Sequence, residues 1–163
     1  YGQGEMLVNP VHLASIYSAF MNDGNMLKPY LVSNSEELGG EAAAPGSFWK
    51  TGVFGAQTAQ TINDDLRTVI SEGTGTQALE AGVTLAGKTG TAEIKDSQQD
   101  TTGTELGWFA AYEIDNTNDP ILILMMVEDV KERGGSHYVV PKVSEAFRIY
   151  RSGEVLEGDT AEE

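Results

Sequence analysis

The sequence contains no cysteine, so neither a disulfide nor a thiolate metal site can brace the fold. It is short of positive charge: 10 Lys and Arg stand against 25 Asp and Glu, leaving a net charge of −15. Such a surface repels nucleic acid and anionic membrane, and an anionic ligand must be held by a locally placed cation. Long apolar runs are missing too. The longest covers residues 121–127, far short of a membrane span, and no signal peptide or internal repeat is visible. The chain opens at Tyr1 without Met or targeting segment, and it reads as cut from something longer. What is present, 40% apolar and 21% charged residues in 163, suits a globular domain with one core.

Local signals divide that domain into elements. Asn9 before Pro10 is an N-cap with proline at the first helical position, predicting a helix to about Met21 with a stop at Gly24. Leu13, Ile16, Tyr17 and Phe20 recur at helical spacing and are expected to face the core. Residues 28–32 read as a short extended piece and 33–46 as an exposed excursion or short hairpin. A second helix is predicted over 57–72, capped by Gly55 and stopped by Gly73. Its apolar stripe is Ala59, Ile62, Leu66, Val69 and Ile70. One further turn is expected over 76–80, then strands over 85–95, 106–114 and 121–127. The last strand is apolar on both faces and is expected to be covered on both sides, and the turn 115–120 makes the last two antiparallel. Pro141 opens a final helix with Val143, Ala146, Phe147 and Tyr150 inward. Residues 153–163 carry five acids and no cation, as expected of an acidic disordered tail. The fold class is α+β: an antiparallel sheet of three strands flanked by helices.

The chemistry concentrates in Leu85-Ala86-Gly87-Lys88-Thr89-Gly90-Thr91-Ala92-Glu93. Lys88 brings a charge, Thr89 a hydroxyl, Gly90 an open stretch of backbone and Thr91 a main-chain N–H. Such a strand can hold a small carboxylate beside a developing oxyanion. Glu93 either reaches the same cleft or is an exposed strand acid. A rival lies in the same residues, because Gly82 to Thr89 satisfies the phosphate-loop pattern G-x-x-x-x-G-K-T. Context argues against it: a phosphate loop follows an apolar strand and opens a helix, and neither neighbour fits. Gly73 to Ala78 mimics a dinucleotide fingerprint but follows a helix. The acids of 115–119 suit a hairpin turn better than a calcium loop, and His12 and His137 have no partner at ligand spacing, so no metal or cofactor is expected. Trp108 and Phe109 read as strand core.

Together with Gly107-Trp108-Phe109-Ala110-Ala111-Tyr112, Tyr1-Gly2-Gln3-Gly4-Glu5, Asn9-Pro10 and Asn22-Asp23-Gly24-Asn25, the K-T-G stretch resembles the C-terminal part of the transpeptidase domain of class B penicillin-binding proteins. The likeness is to their Gram-positive, methicillin-resistance-type branch, and it spans residues 1–152. The resemblance implies a β-lactamase/transpeptidase-like fold and peptidoglycan cross-linking on the outer side of the cytoplasmic membrane, through an anchor absent from this chain. It implies stem peptides and β-lactams as ligands. Lys88 and Thr89 would bind the terminal carboxylate across Gly90, and the Thr91 N–H would be half of the oxyanion hole, making Lys88 and Thr91 the catalytic pair. The family also needs S-x-x-K and S-x-N. No S-x-N occurs, and the one S-x-x-K, Ser47 to Lys50, sits where no helix is expected. The chain alone is therefore expected to be inactive. The N-terminal part of the same protein, or a second copy, is expected to complete the sheet. A phosphate-loop nucleotide-binding protein and a non-catalytic interaction module are the alternatives.

Overall fold

The computed structural model describes residues 7–31, 46–95, 97, 99, 100, 102–116 and 118–153. The Tyr1-Gly2-Gln3-Gly4-Glu5 stretch, residues 33–45 of the expected excursion and the acidic tail beyond Gly153 lie outside these. Helix α1 spans Pro10–Met21, and the Asn9 side chain accepts a 2.9 Å hydrogen bond from the Val11 N–H as its cap. Helix α2 spans Ala56–Ser71 behind Gly55, a 3-10 helix follows over Thr76–Ala81, and helix α3 spans Val140–Ser152. A small ladder pairs β1, Met26–Leu27, antiparallel with β2, Phe48–Lys50. The main sheet is β3, Leu85–Ile94, β4, Thr104–Glu113, and β5, Leu122–Val127, antiparallel in the order β3-β4-β5. This is the expected α+β class with a three-stranded antiparallel sheet.

Strand alternation gives the sheet two faces. Leu85, Phe109, Ala111, Ile123 and Met125 share one, packed under Val140, Val143 and Phe147 of α3, the 3-10 helix and Ile70. Burying that apolar surface is the main stabilising term. The opposite face carries Lys88, Gly90 and Ala92 beside Ala110, Trp108 and Leu106, then Leu124 and Met126. Helix α1 covers only part of it.

Three expectations are corrected. The buried residues of α1 are Ser15, Ser18 and Ala19, while Ile16 is exposed. Burial costs the serines little because their hydroxyls bond to Val11 O and Ser15 O, and Ser18 Oγ accepts from the Leu27 N–H. In α3 the inward face is Val140, Val143, Ser144 and Phe147, and Tyr150 turns out under the Arg151 guanidinium. Strand β5 is half-buried along most of its length rather than covered on both sides, because within the described residues it is the edge of the sheet and β4 is the centre. The β1–β2 ladder was not anticipated.

A polar clamp ties α3 to the end of β4. Glu113 is buried, and the Arg151 guanidinium grips both its oxygens while the Ile121 N–H donates at 3.0 Å. Burial alone would raise the Glu113 pKa. Arg151, the Ile121 N–H and Asn116 outweigh it and hold the carboxyl below its ordinary value. On the α1 side, Tyr112 donates to the Asn63 carboxamide, and burial pushes its phenol above the ordinary range.

Candidate functional site

The K-T-G residues lie inside β3, at its outer edge. The Ile114 N–H donates to Thr84 O at 3.2 Å, which sets the hydrogen-bonding phase of the β3–β4 pair. In an antiparallel pair every second residue bonds to the partner strand. Positions 84, 86, 88, 90 and 92 therefore bond to β4, and the N–H and C=O groups of Thr89 and Thr91 point to the outer edge. Lys88 Nζ donates to Thr89 O at 2.8 Å, which brings the ammonium round to that edge with two N–H bonds to spare. A main-chain donor at Thr91 and a cation at Lys88 thus sit side by side.

The glycines separate packing from access. A Cβ on Gly87 would lie 2.6 Å from Ala110 O, and one on Gly107 would lie 2.8 Å from Val139 Cγ2, so the fold itself requires both to be bare. At Gly90 the nearest atom would be Trp108 Cβ at 3.5 Å, an ordinary contact. No packing demand explains Gly90, and its bareness leaves the backbone open to a ligand. Beside it runs a groove of about 510 Å³, walled by Lys88, Thr89, Trp108, Leu13, Tyr17 and Met126. Trp108, expected as core, is a half-buried wall of this groove.

Thr89 is only 7% exposed, and its hydroxyl shares a 2.6 Å hydrogen bond with the Thr74 hydroxyl. The Thr91 hydroxyl accepts from the Ser136 N–H at 3.2 Å, which fastens the strand to the short 3-10 helix Gly135–Tyr138 before α3. Glu93 stands apart from the groove, paired with Lys95, whose hydrogen bond holds the carboxyl below its ordinary pKa. The structure therefore gathers Lys88, Thr89, Gly90 and Thr91 and leaves Glu93 at the far end of the strand. Sequence reasoning missed Thr74, set aside with a glycine pattern.

Two other sequence candidates resolve. Gly82 is a left-handed cap after the 3-10 helix, and the chain then runs straight into β3; no helix follows Lys88 and Thr89, which agrees with the context that argued against a phosphate loop. Lys50 of the S-x-x-K match ends β2, a strand that begins directly after Ser47, and in an extended segment side chains three apart point to opposite faces. That arrangement does not put Ser47 and Lys50 on one face, as a nucleophile and its base would need. Among the described residues, no group of three or more His, Cys, Asp or Glu is placed to hold a metal.

Comparison with known proteins bears on this geometry. A family profile described as the penicillin binding protein transpeptidase domain matches residues 1–148. The chain is 39% identical over 150 residues to penicillin-binding protein 3 of Bacillus subtilis, covering 91% of this chain and 21% of that protein. It is 31% identical over 144 residues to a peptidoglycan D,D-transpeptidase FtsI homolog of Mesostigma viride, covering 79% of this chain and 23% of that protein. Among solved structures, the D,D-transpeptidase domain of a peptidoglycan glycosyltransferase from Eggerthella lenta superposes with a TM-score of 0.64 at 27% identity, covering 90% of this chain and 33% of that one. The chain thus spans between a fifth and a third of these three relatives.

Proposed function

The chain belongs to the penicillin-binding protein transpeptidase family, and from that premise we propose that its β3 edge is the substrate-binding wall of a class B peptidoglycan D,D-transpeptidase of the Gram-positive, methicillin-resistance-type branch. In this reading residues 1–152 are the C-terminal part of the transpeptidase domain, which works at the extracytoplasmic face of the membrane. Among the described residues no helix is long and apolar enough to cross a membrane. The observation that carries the reading is the outward Thr91 N–H beside the Lys88 ammonium, with Gly90 bare between them.

The chemistry follows from that placement. A serine attacks the penultimate D-alanine carbonyl of a stem peptide. The carbonyl π electrons move onto oxygen, and the Thr91 N–H stabilises the oxyanion. Lys88 and the Thr89 hydroxyl hold the terminal carboxylate by charge-assisted hydrogen bonds, which fixes the carbonyl at the donor. Terminal D-alanine leaves with a proton on its nitrogen, and an amine from a neighbouring stem peptide releases the acyl group. A β-lactam presents a similar carboxylate and carbonyl and stops at the acyl stage. Glu93 lies two residues beyond Thr91 on the same strand and flanks the path of a longer peptide.

The serine comes from outside residues 1–163, since S-x-N is absent and Ser47 lies in an extended segment. The partner supplying it is the N-terminal part of the same protein, or a second copy completes the sheet without a serine. Peptide mapping after incubation with penicillin tests the proposal. The expected result is an adduct on the full-length protein at a serine outside residues 1–163, and none on this chain alone. An adduct on Ser47 would overturn the assignment of roles.

A further inference from the structure

We propose that Thr74 is a positioning residue that aims the Thr89 hydroxyl proton at an anionic ligand on the β3 edge; the inference rests on the transpeptidase reading above. Thr74 sits between two glycines that let the chain double back on the last turn of α2. A Cβ on Gly73 would lie 2.9 Å from Val69 Cα, and one on Gly75 would lie 2.9 Å from Ile70 Cδ1. The Gly75 N–H donates to Val69 O at 2.9 Å and closes the turn. The result brings an exposed residue from the end of one helix against the side chain of a buried strand residue, with 2.6 Å between their hydroxyl oxygens.

A hydroxyl has one proton to give and rotates to place it. If Thr89 donates to Thr74, it turns lone pairs toward the β3 edge and repels a carboxylate there. If Thr74 donates to Thr89, the Thr89 proton is free for the carboxylate, and the two O–H dipoles align and strengthen each other. A bound carboxylate selects the second arrangement. Thr74 does not touch the ligand in this scheme. It fixes the direction of the hydroxyl donor assigned to the carboxylate, and the pinched glycine turn is what holds it there. Thr74 is exposed, so its conversion to valine removes the hydroxyl and little else.

The test is the second-order acylation rate of the full-length protein with a penicillin and with the methyl ester of the same penicillin. Thr74→Val is expected to slow the free acid about tenfold. The ester, which offers no anion, stays within about twofold, and Thr74→Ser restores the free-acid rate to within about twofold. A merely structural Thr74 would slow acid and ester alike, and that result overturns the proposal. So does a Thr74→Val rate with the acid within about twofold of the parent. Lys88→Ala runs alongside. If it slows the acid while Thr74→Val does not, this inference alone fails; if neither slows it, the carboxylate-binding reading fails with it.

Discussion

The two edges of the sheet are built from opposite materials. The outer edge of β3 offers Lys88, Thr89, Gly90 and Thr91: one charge, small side chains and outward backbone donors. The outer edge of β5 offers Leu122, Leu124 and Met126 with no charge, and their backbone groups point outward unpaired among the described residues. A bare polar edge suits a small ligand that brings its own hydrogen-bonding groups. An apolar edge suits another strand, because it gains area and a ladder together. On the proposed function, one edge of the sheet serves chemistry and the other assembly, with a fully buried strand centre at Phe109 and Ala111 between them.

The sharpest way to break this contrast is to remove the charge from the chemical edge. Lys88→Ala in the full-length protein is expected to slow penicillin acylation about 10- to 100-fold, from the loss of a charge-assisted bond to the carboxylate. The fold should persist, with an unchanged thermal midpoint, because Lys88 is exposed. Acylation within about twofold of the parent would remove the carboxylate-binding role.

The glycines of β3 sharpen the contrast within one strand. Gly87→Ala pushes a methyl group into Ala110 O and should cost about 1–3 kcal/mol of stability in denaturant titration. Gly90→Ala should cost less than about 0.5 kcal/mol yet reduce acylation, since its space belongs to the ligand. Equal destabilisation by both would show that Gly90 is structural.

The assembly edge is tested by charge. The chain on its own is expected to associate with concentration, and Met126→Lys, at an exposed position on β5, should shift it toward monomer in light scattering. A monodisperse monomer of 17.5 kDa before any substitution would contradict the assembly role.

The smallest effect concerns acid. The Glu113 pKa is lowered in the fold, so its contribution to stability is fully present above the ordinary glutamate value and is lost as pH falls through the lowered one. Below about pH 4.3, hydrogen-exchange protection should therefore fall first around Ile121 and Arg151, before it falls around Ala86 and Gly87. Simultaneous loss would mean that the clamp does not secure the β5 side separately.

Much of this was legible in the sequence wherever a local signal existed. Asn9-Pro10 announced α1, Gly55 and Gly73 bracketed α2, and the short turn before Ile121 gave the antiparallel β4–β5 pair. K-T-G named its own strand. What stayed hidden depends on partners distant in the chain. Ser15 and Ser18 look like surface residues until their backbone acceptors are seen. The β1–β2 ladder joins pieces too short to show a period. Glu113 and Arg151 meet across 38 positions, and Thr74 finds Thr89 only through the turn between its two glycines. The outward direction of the Thr91 N–H needed the β3–β4 register, which the sequence alone does not supply.

The central claim is that the β3 edge holds carboxylate and oxyanion together. A crystal structure of the full-length protein acylated by a penicillin tests it most directly. The account predicts the acyl carbonyl oxygen within hydrogen-bond distance of the Thr91 N–H, and the penicillin carboxylate on Lys88 and Thr89, lying over Gly90. An acyl group whose carbonyl oxygen faces away from Thr91, or whose carboxylate bypasses Lys88, would contradict it.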